Sequence, residues 1–414
     1  MVALTLRDAS KHSRFLGLAW DQPLESWPDQ DFVRLPAGTH RHVVRFLRHD
    51  DEYYALKELP TRLAKREYVN LDRLRSLGLP AVTLVGIATD RHTTSGDPLG
   101  AVLITRHLQY SLAYRTVFTD LSNANQRSQM IDALAVLLVR LHIGGFFWGD
   151  CSLNNVLFRR DAGAVRAYVV DTETSEFHDE LSEGQRLHDL DIGVENILGG
   201  LYDLQAAGRL SPDHDPLDIV EDLERRYQAL YDDLTGAEEL PVSELGRIQE
   251  RLERLNQLGF DTEEYELREK SGIVRFRPTV VEDGHHKRSL QRLTGITAHE
   301  NQARRLLNAI RSYGAWLAQT EGHKLAEAVM AYRWLTERWH PTFAKIPAQL
   351  RGKIEDAEVY HEILEHNWFL SEQQGAEVPL HIATQSYIDL VLDRKDDERH
   401  VLPDESEDAT LKGD

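Results

Sequence analysis

Positive charge and cysteine are what this 414-residue chain is short of: 48 Lys and Arg stand against 68 Asp and Glu, and there is one Cys. The formal net charge of -20 repels phosphate backbones, which argues against nucleic acid as a general partner. It also disfavours an anionic membrane surface wherever no local basic patch reverses the sign. A lone cysteine, Cys151, excludes an intrachain disulfide and fits a reducing cytosol, so a cytoplasmic location is expected. Long apolar runs are missing too. The opening 14 residues carry none, so no secretion signal is expected there. The most apolar segment, 131–147, is interrupted by Asp132, Arg140 and His142, and is therefore predicted as a buried core helix, with no transmembrane segment. With 41% apolar and 28% charged residues the composition is that of a soluble globular protein, long enough for two or three domains.

The chemistry concentrates in Trp148-Gly149-Asp150-Cys151-Ser152-Leu153-Asn154-Asn155-Val156-Leu157-Phe158, followed by Val169-Val170-Asp171. A loop carries Asp150, and Asn155 follows five residues on. An apolar strand, a turn and a second apolar strand then lead to Asp171. This is the spacing of a kinase catalytic apparatus: a base for the accepting hydroxyl, then two oxygen ligands for the metal on ATP. Magnesium takes hard oxygen donors and few protein contacts, so one Asn and one Asp suffice. Turn chemistry alone accounts for Asp and Asn, but not for the flanking apolar strands.

Upstream, Val43, Val44 and Phe46, then Tyr53, Tyr54, Ala55 and Leu56, form a strand pair. A glycine-rich phosphate cover belongs near the first of these, but 36–42 offers one glycine, Gly38. It serves either as a backbone approach to phosphate or as a plain turn. Lys57 closes the second strand. In the helix after Pro60, Leu63, Leu71, Leu74 and Leu77 share a face with Glu67. A carboxylate on an apolar stripe needs a partner, and Lys57 is the natural one. Otherwise Glu67 lies at the stripe's edge and turns outward. Residues 82–87 and 101–105 read as further strands, with 106–109 as a hinge. The helix 125–144 ends at Gly144-Gly145, and a new helix opens at 188–193 after a loop of fewer than about twenty residues, near the upper end of ordinary loops. No A-P-E motif closes that loop, so no long phosphorylatable activation segment is expected.

Beyond the loop 206–216, residues 217–258 read as charged and mostly helical, with Leu223, Tyr227, Leu230, Tyr231 and Leu234 on one face. Residues 264–281 alternate like a hairpin around Lys270-Ser271-Gly272. The stretch 285–311 is locally basic, with Lys287, Arg288, Arg292, Arg304, Arg305 and Arg311. It is either an internal dock for acidic helices or a site for a protein or anionic partner. In 361–366, His361 with Glu365 and Glu362 with His366 share helix faces. The motif is not H-E-x-x-H, and helix-surface pairing explains it without a metal-dependent hydrolase. The tail 394–414 is acidic, lacks an apolar stripe and is expected to be disordered. Cys151 is either a redox-sensitive thiol or a small apolar residue packed under the loop.

Lys57, Glu67, Asp150, Asn155 and Asp171 stand in the order and approximate spacing of the protein-kinase-like superfamily, and the chain resembles its lipopolysaccharide-kinase and RIO-kinase branch. It is also similar to an actinobacterial family of unknown function that joins such a domain to a C-terminal extension, through 147–153 and 365–372. The resemblance implies an α+β, bilobal protein-kinase-like fold: an N-terminal extension (1–30), a small β-rich N-lobe (31–107), a helical C-lobe (108–236), a mostly helical C-terminal domain (237–393) and the tail. It implies ATP and Mg as cofactors, with Lys57, paired to Glu67, on the phosphates. Gly38 would lie near those phosphates, Asp150 would be the base, and Asn155 and Asp171 the metal ligands. Two departures stand out. H-R-D appears as Trp148-Gly149-Asp150, which removes the cation that pairs with an activation-loop phosphate. D-F-G appears as Asp171-Thr172-Glu173, which adds an acid beside the metal. Two functions follow: a phosphotransferase acting on a hydroxyl of a small molecule, sugar or protein, or a pseudokinase scaffold or nucleotide sensor working through its C-terminal domain.

Overall fold

The computed structural model describes residues 2–28, 32–33, 42–49, 52–113, 124–211, 214–236, 238–241, 247, 250–251, 255, 258, 260, 264–270, 273–279, 284–323 and 325–398. Gly38, the turn at 271–272 and the tail beyond 398 lie outside the described residues. Two compact units emerge. One holds Met1–Phe158 and Ala167–Leu230, the other Arg159–Arg166 and Tyr231–Arg399.

The first unit opens with β1 (Ala3–Leu6), β2 (Phe32–Val33), β3 (Val43–His49), β4 (Glu52–Leu59), α1 (Thr61–Ser76), β5 (Thr83–Thr89) and β6 (Ala101–Arg106). The strands form one sheet, in the order β1-β5-β6-β4-β3-β2, and every pairing is antiparallel. β1 comes from the N-terminal extension, where no strand was expected. The extension also buries Phe15, Trp20, Leu24 and Trp27 against Leu47, Tyr54, Leu56, Val85, Val102 and Ile104. Polar staples hold it there. Buried Arg91 donates to Trp20 O (3.0 Å), to Gln22 O and to Glu58 Oε1 (2.5 Å), and Glu58 Oε2 accepts from Leu24 N (2.7 Å).

Strand alternation explains how this sheet presents its lysine. Tyr54 and Leu56 point into the core under the extension, so Lys57 points to the opposite face. Helix α1 packs against β4, β5 and β6. Its buried stripe is Ala64, Glu67, Asn70, Leu71 and Leu74. Leu77 is the C-cap and is exposed, because the helix ends one residue earlier than the apolar pattern predicts.

The unit continues with β7 (Ser111–Ala113), α2 (Ala124–Ile143), β8 (Phe146–Phe147), β9 (Val156–Asp161), β10 (Ala164–Val169), β11 (Glu176–Phe177), α3 (Glu183–Ala206) and α4 (Pro216–Thr235). Helix α2 buries Ile131, Leu134, Leu137, Leu138 and Leu141, as its pattern predicts, and no helix among the described residues is long and apolar enough to cross a membrane. Gly145 stops it at φ +74°, where an added Cβ would lie 2.2 Å from His178 O. That close approach lets β8 pair with β11, which straps the segment after Asp171 beside the loop before Asp150. α3 begins five residues ahead of the expected position. A capping box at Ser182 and Gln185 nucleates it, a local signal stronger than the later apolar pattern.

The described residues of 217–258 are mostly helical, as expected, and one four-residue strand interrupts them. α4 stops at Thr235, and β12 (Glu238–Pro241) pairs with β14 (Ile273–Thr279), which pairs with β13 (Glu264–Lys270). The rest of the second unit is helical: α5 (His285–Thr294), α6 (Glu300–Glu321), α7 (Glu327–Trp334), α8 (His340–Ala344), α9 (Asp356–Gln374) and α10 (Leu380–Leu390). Leu306, Leu307, Ile310, Trp334, Trp339 and Tyr360 form its core. Arg159–Arg166, the tip of the β9–β10 hairpin, belongs to this unit. Buried Asp161 accepts from Gln302 N (2.9 Å) and Asn301 N (3.3 Å) in the first turn of α6, and buried Glu358 accepts from Ala162 N (2.7 Å). In the basic stretch, His286 Nδ1 lies 2.9 Å from a Glu300 carboxylate oxygen.

The His/Glu motif on α9 has its partners inside the fold. His361 Nε2 lies 3.0 Å from Glu365 Oε1, Glu362 Oε2 accepts from Tyr387 OH (2.6 Å), and His366 Nε2 lies 2.9 Å from Ser386 Oγ. These residues form no metal-ligating group among the described residues.

Candidate active site

Lys57 lies among three carboxylates. Its Nζ is 2.6 Å from Asp171 Oδ2, 3.1 Å from Glu67 Oε2 and 3.4 Å from Glu173 Oε2. The strand alternation that aims Lys57 and the helical stripe that carries Glu67 thus converge with the end of the β9–β10 hairpin. Glu67 is 1% exposed, and burial, reinforced by the Asp171 charge, pushes its pKa up to about 8 against the pull of Lys57. Burial opposes the Lys57 charge as well, but the surrounding carboxylates outweigh it and raise the lysine above its ordinary value. Glu173 also meets His42, whose Nε2 lies 3.0 Å from Glu173 Oε2. One turn beyond Glu67, buried Asn70 donates to Thr172 O and Ser175 O, both at 3.0 Å, which holds the segment after Asp171 against α1.

The three acids offer carboxylate oxygens within 4.8 Å of one another, the one such group of three among the described residues. Lys57 is the cation bonded to all three, and the Asp171 carboxylate is a hard oxygen donor of the kind that Mg²⁺ takes. Asn155 is held nearby by the backbone, since Val170 N donates to Asn155 O (3.0 Å) and so ties the start of β9 to the residue before Asp171.

Asp150 is bracketed by amides. Asn155 Nδ2 lies 3.2 Å from Asp150 Oδ2, and Asn196 Nδ2, on α3, lies 3.3 Å from Asp150 Oδ1. The loop that carries Asp150 is fixed from below by Asp189, which is fully buried on α3. Its Oδ2 accepts from Trp148 N and its Oδ1 from Gly149 N, both at 2.7 Å. His142 Nε2 lies 3.1 Å from Asp189 Oδ2, and His142 Nδ1 lies 2.5 Å from Tyr227 OH. Gly149 takes φ +72°, a left-handed conformation that glycine adopts without strain. Buried Trp148 then ties the two halves of the site together, because its Nε1 donates to Asp171 O (2.9 Å) while its own carbonyl accepts from Ser175 Oγ (2.9 Å).

Cys151 is fully buried against Gly193, and burial, with the nearby Asp189 and Asp150 charges, holds its thiol well above the ordinary range. It packs as an apolar residue. Of the residues singled out in the sequence, Lys57, Glu67 and Asp171 come together in one cluster and Asp150 and Asn155 in another, while their neighbours His42, Asn70, His142, Asp189 and Asn196 were not singled out. These neighbours meet the loops by tertiary approach, which leaves no local signal in the sequence.

Residues 39–192 match the model of the Lipopolysaccharide kinase (Kdo/WaaP) family, a span that runs from before Lys57 to beyond Asp189. This is a protein-kinase-like domain. The kinase-like domain is followed by residues 229–392, which match a Domain of unknown function (DUF4032). Among solved structures, the chain is similar to one titled "WaaP in complex with acyl carrier protein", at 16% identity and a TM-score of 0.36, over 62% of this chain and 99% of that one. It is also similar to an aminoglycoside-3'-phosphotransferase of type VIII, at 15% identity and a TM-score of 0.35, over 54% of this chain and 92% of that one. Comparison with curated proteins finds no match. The α+β architecture, with a β-rich lobe, a helical lobe and a largely helical C-terminal part, is the one expected of a kinase-like chain with an extension.

Proposed function

We propose that the chain is an ATP- and magnesium-dependent phosphotransferase acting on a hydroxyl group. The observation that carries this reading is Lys57. Its ammonium is bonded at once to Glu67 of the adjacent helix and to Asp171 at the end of the hairpin, 114 residues away. Lys57, oriented by Glu67, aligns the ATP phosphates. Asp150 accepts the proton of the acceptor hydroxyl as the new O–P bond forms and the γ-phosphate's bond to ADP breaks, with the bonding electrons leaving on ADP. Asn155 and Asp171 would hold the metal, which supplies charge neutralisation at the transferred phosphoryl group. Positioning and electrostatics, rather than covalent chemistry, do most of the catalysis. Support comes from the match to a kinase family and from the convergence of five separately predicted residues on two adjoining clusters.

A pseudokinase reading draws on one feature, Glu173. Its carboxylate faces Lys57, where phosphate would bring further negative charge. His42 Nε2 meets the same carboxylate at 3.0 Å. Phosphate transfer from labelled ATP to a panel of sugar, small-metabolite and protein hydroxyl acceptors, run on the wild type and on Asp150→Asn, separates the two. Transfer by the wild type, reduced at least about 100-fold in the variant, supports the enzyme. Equal transfer by both proteins contradicts the assignment of Asp150.

A further inference from the structure

We propose that Asn196 is a positioning residue for Asp150: its amide holds one carboxylate oxygen while Asn155 holds the other, so the acceptor hydroxyl meets the base in one orientation. The inference rests on the phosphotransferase reading above.

Asn196 reaches the loop because α3 tracks it residue by residue. Positions 189, 193, 196 and 200 lie on one face of the helix. Asp189 binds the amides of Trp148 and Gly149. Gly193 passes Cys151 so closely that an added Cβ would stand 3.2 Å from the Cys151 Cβ. Gly200 passes Leu153, with 3.4 Å between an added Cβ and Leu153 Cδ1. Asn196 falls between these contacts, opposite Asp150, and its Nδ2 lies 3.3 Å from Oδ1. The helix is therefore pinned on both sides of Asn196, and the amide has little freedom to leave the carboxylate.

The chemistry fits the geometry. An ionised carboxylate is acceptor-only, with about four lone-pair positions over its two oxygens. An amide donor on each oxygen constrains the plane of the group. Small misplacements of a reacting group are costly, of the order of 10²-fold for about 1 Å.

The test uses the purified full-length chain, with ATP and Mg²⁺ and water as the acceptor, and compares the wild type with Asn196→Asp and Asn196→Ala. The Asp variant keeps the shape of the side chain but sets a second carboxylate beside Asp150, and the Ala variant removes the donor without adding charge, so the pair separates loss of the donor from charge repulsion. The expected result is a fall in kcat of about 10- to 100-fold in both variants, with KM for ATP and the melting temperature essentially unchanged. If Asn196→Asp turns over ATP like the wild type, the amide only fills space and the inference is overturned. If kcat, KM and melting temperature all worsen together, the role is structural and the inference is likewise overturned. If the wild type neither binds nor hydrolyses Mg-ATP, the phosphotransferase reading itself fails and takes the inference with it.

Discussion

Lys57 Nζ lies 2.6 Å from Asp171 Oδ2, closer than to Glu67 at 3.1 Å. One ammonium thereby joins strand β4, helix α1 and the end of the β9–β10 hairpin. Removing it leaves Glu67, Asp171 and Glu173 together without their cation. Lys57→Met is expected to abolish phosphoryl transfer and to weaken Mg-ATP binding at least about ten-fold, because the phosphates lose their charged partner. Calorimetric titration of the variant with Mg-ATP checks this; affinity equal to the wild type would remove Lys57 from the nucleotide site.

Burial pushes the Glu67 pKa up to about 8, far above that of an exposed carboxyl. Between the unfolded and folded values the folded state therefore holds more protons than the unfolded one. Stability from this group is full at low pH and is lost as pH rises through that window. In metal-free buffer, the melting temperature is expected to decline between about pH 5 and pH 8, and Glu67→Gln is expected to flatten the decline. Melting scans across that range measure it. An unchanged slope in the variant would assign the decline to another group.

Asp189, itself fully buried, accepts the amides of Trp148 and Gly149 and faces buried His142. Asp189→Ala leaves these donors buried and unpaired, so it is expected to destabilise the fold by about 3 kcal/mol. Chemical denaturation reads this directly. A loss below about 0.5 kcal/mol, the range of an ordinary surface substitution, would mean that the loop does not depend on Asp189.

Cys151 is expected to be inert in the folded protein, since it is fully buried and its thiol is held above the ordinary range. A chromogenic disulfide reagent should detect no thiol in the native protein and one after denaturation. Rapid native labelling would restore the redox-sensitive reading.

The site was legible in the sequence wherever the chemistry is carried by spacing along the chain. Asp150, Asn155 and Asp171 follow one another across a single hairpin, and Glu67 betrays itself as a charge on the buried stripe of α1. The supports were not legible, because they arise from tertiary approach. Asn70 finds Thr172 O across 102 residues, and Asn196 finds Asp150 across 46. Nothing local to an Asn in a helix marks it as a donor to a distant loop. The fold followed the same division. Alternation and apolar periodicity placed α1, α2 and the central strands of the sheet. β1 was missed because its four residues alternate between exposed and half-buried and depend on β5 for their pairing. β12 was hidden in a charged stretch that reads as helix until β14 pairs with it.

The central claim is that Lys57, Asn155 and Asp171 form a working nucleotide and metal site. The most direct test is calorimetric titration of ATP into the wild type and Asp171→Ala, each with and without Mg²⁺. Binding by the wild type is expected to depend on Mg²⁺ and to be lost in Asp171→Ala. Absence of binding in the wild type, or equal Mg²⁺-dependent binding by both proteins, would contradict it.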